Sequence, residues 1–276
     1  MQKHTLQSIC KEHNGLISDK WNIYLSKYEH IFFPKKQVAI NLLEIGVQNG
    51  GSLEIWEKYF PNADKILGCD INSDCGKIKF DTPKVHLVIG DITNSKTLEE
   101  LLSIAPSFDI IIDDGSHTSN DIVKTFCTLF PHLKSGGIFI AEDLHCSYWK
   151  NYQGGLFYKK SSISFFKALV DILNFEHWGL KYTRRQLLAD FDIPDTLDES
   201  ILSEIHSIEF INSMCIITRQ KRELNELGKR HVVGKTELVY PVKQLDGTYS
   251  KTPPQKLKSS LFQRIKESLK IPNKAK

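Results

Sequence analysis

The sequence predicts a doubly wound α/β fold, a seven-stranded sheet with an antiparallel hairpin at one edge. Three observations carry this. Short β-rich runs alternate with helical patterns through the centre of the chain. Two of those runs stop at acidic segments, Asp113-Asp114-Gly115-Ser116-His117 and Glu142-Asp143, and open sheets place their chemistry at the carboxyl ends of strands. Residues 205–218 read as two strands joined around Asn212-Ser213, the pattern of an edge hairpin.

The elements follow in order. Within the first forty residues Trp21, Tyr24, Leu25, Tyr28 and Phe32 are spaced for one helical face, so residues 1–38 are expected to form a helical cap. Residues 40–45 read as the first strand and 52–60 as its helix, with Lys65–Asp70 the second strand and Val85–Ile89 the third. A short helix over 97–104 precedes the strand Phe108–Asp113. Ile122, Val123, Phe126, Leu129, Phe130 and Leu133 form a helical stripe over 120–133, and Lys134-Ser135-Gly136-Gly137 reads as the turn into the strand ending at Glu142. Residues 146–160, rich in Tyr, Trp and Gly, suit a loop over a site, and Ser162–Leu173 returns to helical spacing. The expected division is a cap (1–38), a Rossmann-like domain (39–218) and a basic extension (219–276). In the extension Thr252-Pro253-Pro254 leads to an amphipathic segment over 257–269.

Composition narrows the class. The apolar fraction of 41% over 276 residues supports a substantial core, and no apolar run approaches the ~20 residues of a membrane span. The start lacks the apolar core of a secretory signal. Six cysteines form no Cys-x-x-Cys pair, and the reading is a reduced, cytoplasmic protein. From Arg219 onward 15 basic residues face 5 acidic ones, a surplus of +10, so the preceding part carries −7 of the net +3. Such a tail suits an anionic surface or an oligomer contact. It lacks interleaved aromatics, and nucleic acid is not expected as a partner.

The first strand runs through Glu44-Ile45-Gly46-Val47-Gln48-Asn49-Gly50-Gly51-Ser52 into a helix, a turn where backbone can approach a ligand closely. The spacing is not Gly-x-Gly-x-x-Gly, which argues against a dinucleotide. Asp70 closes the second strand, where a carboxylate can accept ribose hydroxyls, and Asp91-Ile92 after the third offers an acid and an apolar wall for a purine. The set suits S-adenosylmethionine. Asp114, Glu142 and Asp143, at the ends of two candidate neighbouring strands, would repel one another without a cation between them. Their hard oxygens suit Mg²⁺, Mn²⁺ or Ca²⁺. His117 has the intrinsic pKa of a general base, and Asp113 is expected to turn toward the fold or the cofactor. His145, Tyr148, Trp149 and Tyr152 are candidates for an acceptor wall, but for Trp149 the favoured reading is a hydrophobic plug under the loop, and His145 is equally a candidate second acid/base group or a partner of the metal acids.

The 44–52 turn, the Asp-Asp-Gly-Ser-His segment and Glu142-Asp143 with Tyr148-Trp149 resemble the metal-dependent sugar O-methyltransferases of macrolide and related pathways. That group includes rhamnosyl O-methyltransferases and cephalosporin-hydroxylase-like proteins. The resemblance spans about residues 15–218 and implies the class I S-adenosylmethionine methyltransferase fold. It implies Asp114, Glu142 and Asp143 as ligands of Mg²⁺ (Mn²⁺ also suits) and His117 as base. It further implies cofactor contacts at Glu44, Gly46, Gln48, Gly50, Ser52, Asp70 and the Asp91 loop. Asp19-Lys20 and Tyr24 match the family segment near the substrate opening. The expected activity is methylation of a sugar hydroxyl in a natural-product or surface-polysaccharide pathway, on a small-molecule or glycan acceptor, by a homo-oligomer. The competing readings are a hydroxylase-type oxidoreductase, a methyltransferase acting on a small phosphorylated acceptor, and a non-catalytic binding module.

Overall fold

The computed structural model describes residues 5–256, and the amphipathic segment expected over 257–269 lies outside them. The described residues divide into two compact units, residues 5–173 with 183–226, and residues 174–182 with 227–256.

The first unit contains one seven-stranded sheet. Its strands are β1 (Asn41–Ile45), β2 (Lys65–Asp70), β3 (Val85–Ile89), β4 (Phe108–Asp113), β5 (Leu133–Ala141), β6 (Ile205–Ile211) and β7 (Met214–Arg219), in the order β3-β2-β1-β4-β5-β7-β6. β3, β2, β1, β4 and β5 pair in parallel, while β7 lies antiparallel to both β5 and β6. The edge hairpin thus stands where the sequence places it, with Ser213 at its turn in a left-handed conformation (φ 68°).

Both faces of the central strands are buried, which is why those strands read as continuous apolar runs. Leu42, Ile66, Ile110, Ile112 and Ile140 pack with α1 (Leu6–Glu12), α2 (Asn22–Phe32) and α3 (Gly51–Tyr59) through Leu6, Tyr28, Phe32 and Trp56. The alternate residues Leu43, Leu67, Ile111 and Phe139 pack with α4 (Ser95–Ile104), α5 (Ser119–Leu129) and α6 (Ser162–Leu173). Phe126 of α5 anchors that side, with Phe130, Phe139, Phe165 and Phe166 all within 5.9 Å between ring centroids. Thr5 caps α1 and Asn94 caps α4, each side chain accepting a backbone N–H of the first turn.

Three local expectations are corrected. The stripe over 120–133 is not one helix. α5 ends at Leu129 and a 3₁₀ turn covers Phe130–His132, because Pro131 has no N–H to continue the ladder. Lys134-Ser135-Gly136-Gly137 is not a turn but the start of β5, which absorbs an irregularity opposite Phe108 and Ile110 with Gly136 at φ 80°. Trp21 does not share the α2 face: it precedes the helix and is 58% exposed, whereas Tyr24, Tyr28 and Phe32 are buried.

The described part of the second unit has little regular structure. Lys229 and Tyr249 form an isolated antiparallel bridge, and Glu176 receives the Leu227 N–H and the Thr252 hydroxyl, both at 2.8 Å. Among the described residues no helix is long and apolar enough to cross a membrane.

Candidate active site

The sheet order reverses between β1 and β4, and a crevice opens there at the strand ends. The ladder carries each loop one residue past its strand. Gly46 N–H donates to Cys69 O, Asp114 N–H to Ile45 O and Glu142 N–H to Asp113 O, each at 2.9 Å. Gly46, Asp114 and Glu142 therefore stand side by side. A Cβ on Gly46 (φ 88°) would lie 2.1 Å from the Asp114 carbonyl oxygen, so this glycine is demanded by the neighbouring loop. A cavity of about 410 Å³ opens above, lined among others by Lys20, Gln48, Asp70, Asp114, His117 and Asp143. A second of about 180 Å³ lies beyond Asp70, against Asp91, Ile92 and Asp113.

Gln48 (φ 51°), His117 (φ 57°) and Asp143 (φ 54°) line the first cavity in left-handed conformations that cost about 1–3 kcal/mol each when held in place. They are three of the five non-glycine residues with positive φ among the described residues. Strain is concentrated at this crevice.

On the β1–β2 side, Asp70 accepts the N–H groups of Val47 (2.7 Å), Gln48 (3.1 Å) and Asn72 (2.8 Å). Burial raises its carboxyl, but these N–H groups outweigh burial and hold it below its ordinary value. Asp91 Oδ1 binds the Thr93 N–H and hydroxyl, both at 2.8 Å. Asp113 is buried, its Oδ2 has no partner, and burial pushes its carboxyl up to about 8. Gly46, Gln48, Ser52 and Asp70 line the first cavity; Gly46, Asp70, Asp91, Ile92 and Asp113 line the second. Gly50 and Glu44 line neither. Gly50 is the left-handed residue before α3, packed near Leu16 and Phe80. Glu44 is fully buried, its Oε2 accepting from Ser52 Oγ (2.6 Å) and Trp56 Nε1 (3.1 Å).

The acids do not form the single three-carboxylate set that the sequence suggests. Two groups share Asp114: a buried one with Glu44 and Glu142, and a half-buried one with His117 and Asp143. The buried group encloses the Lys20 ammonium, which donates to Glu44 Oε1 (3.0 Å), Asp114 Oδ2 (2.6 Å) and Glu142 Oε1 (2.8 Å). Burial works against the charge on Lys20, but the three carboxylates more than offset it and hold its pKa well above the ordinary lysine value. The Tyr28 hydroxyl also donates to Glu142 Oε1. In the half-buried group His117 Nε2 lies 3.9 Å from Asp114 Oδ1 and 3.8 Å from Asp143 Oδ2, and its Nδ1 is buried without a partner. Asp143 Oδ1 is fixed by Trp21 Nε1 (3.0 Å) and the Tyr24 hydroxyl (2.9 Å).

Tyr24, expected near the acceptor, is buried and bonds Asp143 and the Ser213 carbonyl (3.0 Å). His145 lies beside it, Nδ1 2.5 Å from Ser213 Oγ and 3.9 Å from Asp143 Oδ1, in edge contact with Trp21 and Trp149. Trp149 is 51% exposed and Tyr148 41%, so Trp149 is not a plug beneath the loop. Sequence reasoning assigned no role to Tyr28, Trp56 or Ser213 and left Lys20 without a function. One signal was present. Tyr24 and Tyr28 stand where Phe would fill a core stripe, and a buried tyrosine needs a partner for its hydroxyl.

No protein-family profile matches the chain. Over 167 residues it is 40% identical to the 8-demethyl-8-alpha-L-rhamnosyl tetracenomycin-C 2'-O-methyltransferase of Streptomyces olivaceus, a match covering 57% of this chain and 43% of that protein. Over 156 residues it is 31% identical to the mycinamicin VI 2''-O-methyltransferase of Micromonospora griseorubida, covering 53% and 38%. The chain spans less than half the length of these curated relatives. The MycE methyltransferase of the mycinamycin biosynthetic pathway, solved in complex with Mg, SAH and mycinamycin VI, superposes with a TM-score of 0.64 at 22% identity, over 84% of this chain and 58% of that one. The chain thus has the Rossmann-like methyltransferase fold, and over more than half its length it is similar in sequence to O-methyltransferases of natural-product sugars.

Proposed function

We propose that this protein is a divalent-cation-dependent O-methyltransferase that moves a methyl group from S-adenosylmethionine to a hydroxyl of a sugar-bearing small molecule or glycan. One observation carries the reading. His117 Nε2 faces the cavity beyond hydrogen-bond distance of both flanking carboxylates, so it is committed to neither and is available to a substrate proton.

The donor set fits a hard cation. Glu44, Asp114 and Glu142 are three carboxylates around the Lys20 ammonium, and two oxygens that Lys20 does not engage, Asp114 Oδ1 and Asp143 Oδ2, flank His117. Asp114 and Asp143 would hold the ion, with Glu142 behind them, and Mg²⁺ or Mn²⁺ suits such ligands. When bound, the ion supplies positive charge that makes a nearby hydroxyl easier to deprotonate. Around it the chain's own residues divide the remaining work. Trp21 and Tyr24 orient Asp143, and His117 takes the acceptor proton at Nε2. Asp70 and the 46–48 turn would seat the ribose and amino-acid ends of the donor, and Asp91, Ile92 and Asp113 its adenine. The methyl passes in line to the acceptor oxygen, so catalysis is mainly positioning. Half-exposed Trp149 and Tyr148 offer flat apolar faces to a sugar at the rim.

The relatives' names support a glycosylated acceptor. A cytoplasmic setting agrees with six free cysteines, five of them buried. A homo-oligomer is part of the proposal, read from the family resemblance. The test is to incubate the protein with S-adenosylmethionine and rhamnosyl glycosides, with and without EDTA, and follow S-adenosylhomocysteine. Acceptor-dependent product that EDTA abolishes and MgCl₂ restores is expected. Product insensitive to EDTA would remove the cation from the mechanism, and absence of S-adenosylmethionine binding in calorimetry would overturn the assignment.

A further inference from the structure

The buried group of acids already contains a cation, and that cation belongs to the chain. A lysine has three N–H donors, and Lys20 gives one to each of Glu44, Asp114 and Glu142 at 2.6–3.0 Å, with its side chain 7% exposed. The partners are also held from behind: Glu44 by Ser52 and Trp56, Glu142 by Tyr28. Lys20 is itself set by the segment leading into α2. The Ile17 carbonyl there accepts the Gly51 N–H (3.3 Å), and the Leu16 N–H donates to Glu54 Oε2 (2.8 Å). A Cβ on Gly51 would come within 2.2 Å of the Leu16 carbonyl, so the approach of this segment to α3 is built into the turn.

We propose that Lys20 is the resident cation of the inner group and a positioning residue for the outer one. It neutralises Glu44 and Glu142, engages Asp114 through Oδ2 only, and so presents Asp114 Oδ1 toward the cavity beside His117 and Asp143. The consequence is a division of labour by charge. The inner group is closed to metal by a covalently attached ammonium, and a single divalent ion is confined to the outer group. This rests on the cation-dependent reading above for the outer ion alone; the inner arrangement stands on the ion pairs themselves. Carboxylates this deeply buried cannot stay together uncompensated, because removing one partner of a buried ion pair leaves its charge in a poorly solvating environment.

The experiment uses the full chain with Lys20→Met, which keeps the stem and removes the charge, and the double variant Lys20→Met/Glu44→Gln, which also removes one inner negative charge. The readouts are thermal unfolding in EDTA and Mn²⁺ stoichiometry by electron paramagnetic resonance. The wild type is expected to bind one Mn²⁺ per chain. Lys20→Met is expected to melt lower in EDTA by about 6 °C or more, to bind a second Mn²⁺, and to gain more stability from Mn²⁺ than the wild type does. Adding Glu44→Gln should recover part of the melting temperature in EDTA and remove the second ion, which loss of mere packing would not produce. A Lys20→Met protein that melts within about 2 °C of wild type in EDTA, or that still binds a single Mn²⁺ with unchanged affinity, would overturn the proposal. If Lys20→Met does not fold, the double variant decides: folding supports charge compensation, and failure assigns Lys20 a packing role and overturns it. A wild type that binds no Mn²⁺ would sink the cation-dependent reading, while the melting temperatures in EDTA still test Lys20.

Discussion

The two groups of acids at the ends of β1, β4 and β5 share Asp114, yet they are different kinds of site. In the inner group the Glu44 oxygens and Glu142 Oε1 have partners in Lys20, Ser52, Trp56 and Tyr28. In the outer group His117 Nε2 stands 3.9 Å from Asp114 Oδ1 and 3.8 Å from Asp143 Oδ2, and all three residues line a cavity. The inner carboxylates are already tied to donors of the chain, whereas the outer ones open on a cavity and can offer oxygens to a ligand. Carboxylates alone do not distinguish the two; the position of one lysine does.

The largest test of that contrast is at His117. His117→Asn is expected to reduce turnover by ~10²–10⁴ while S-adenosylmethionine affinity measured by calorimetry stays the same. Full turnover in this variant would move the base elsewhere, with His145 next in line. The two tyrosines then separate the groups. Tyr24→Phe takes a donor from Asp143 and should weaken Mn²⁺ binding by about 10–100-fold. Tyr28→Phe takes a donor from Glu142 and should cost about 1.5–3 kcal/mol in urea unfolding with little change in Mn²⁺ affinity. If both variants affect metal and stability alike, the division into inner and outer groups is wrong. The smallest effect is expected at Trp149. Half-exposed, it should tolerate Trp149→Ala within about 0.5 kcal/mol, while the acceptor KM rises. An unchanged KM would mean that the acceptor sits on another face.

Much of the fold was legible because its central strands are buried on both faces and bounded by acidic or glycine residues. Lys65–Asp70 and Val85–Ile89 stand at the bounds read from sequence, and so does the adjacency of β4 and β5 that brings Asp114 beside Glu142. Reading failed where a local pattern competed with a pairing partner. Gly136-Gly137 looked like a turn and became part of β5, in the irregular stretch between Leu133 and Ile138, the residues on either side that pair with β4. Tyr24 looked like a residue of the opening and became a buried brace, because its hydroxyl reaches across to β7's turn and to Asp143.

By itself the sequence determined the doubly wound sheet, the glycine turn after β1 and the placing of acids at neighbouring strand ends. These follow from the periodicity of burial and from where apolar runs stop, both local properties of the chain. The tertiary structure alone decided which acids are closed and which are open. That depends on Lys20, some ninety residues before Asp114 in sequence, and no local pattern encodes an ion pair at such separation. It also turned Gln48, His117 and Asp143 into left-handed conformations, a strain that only the packed surroundings sustain.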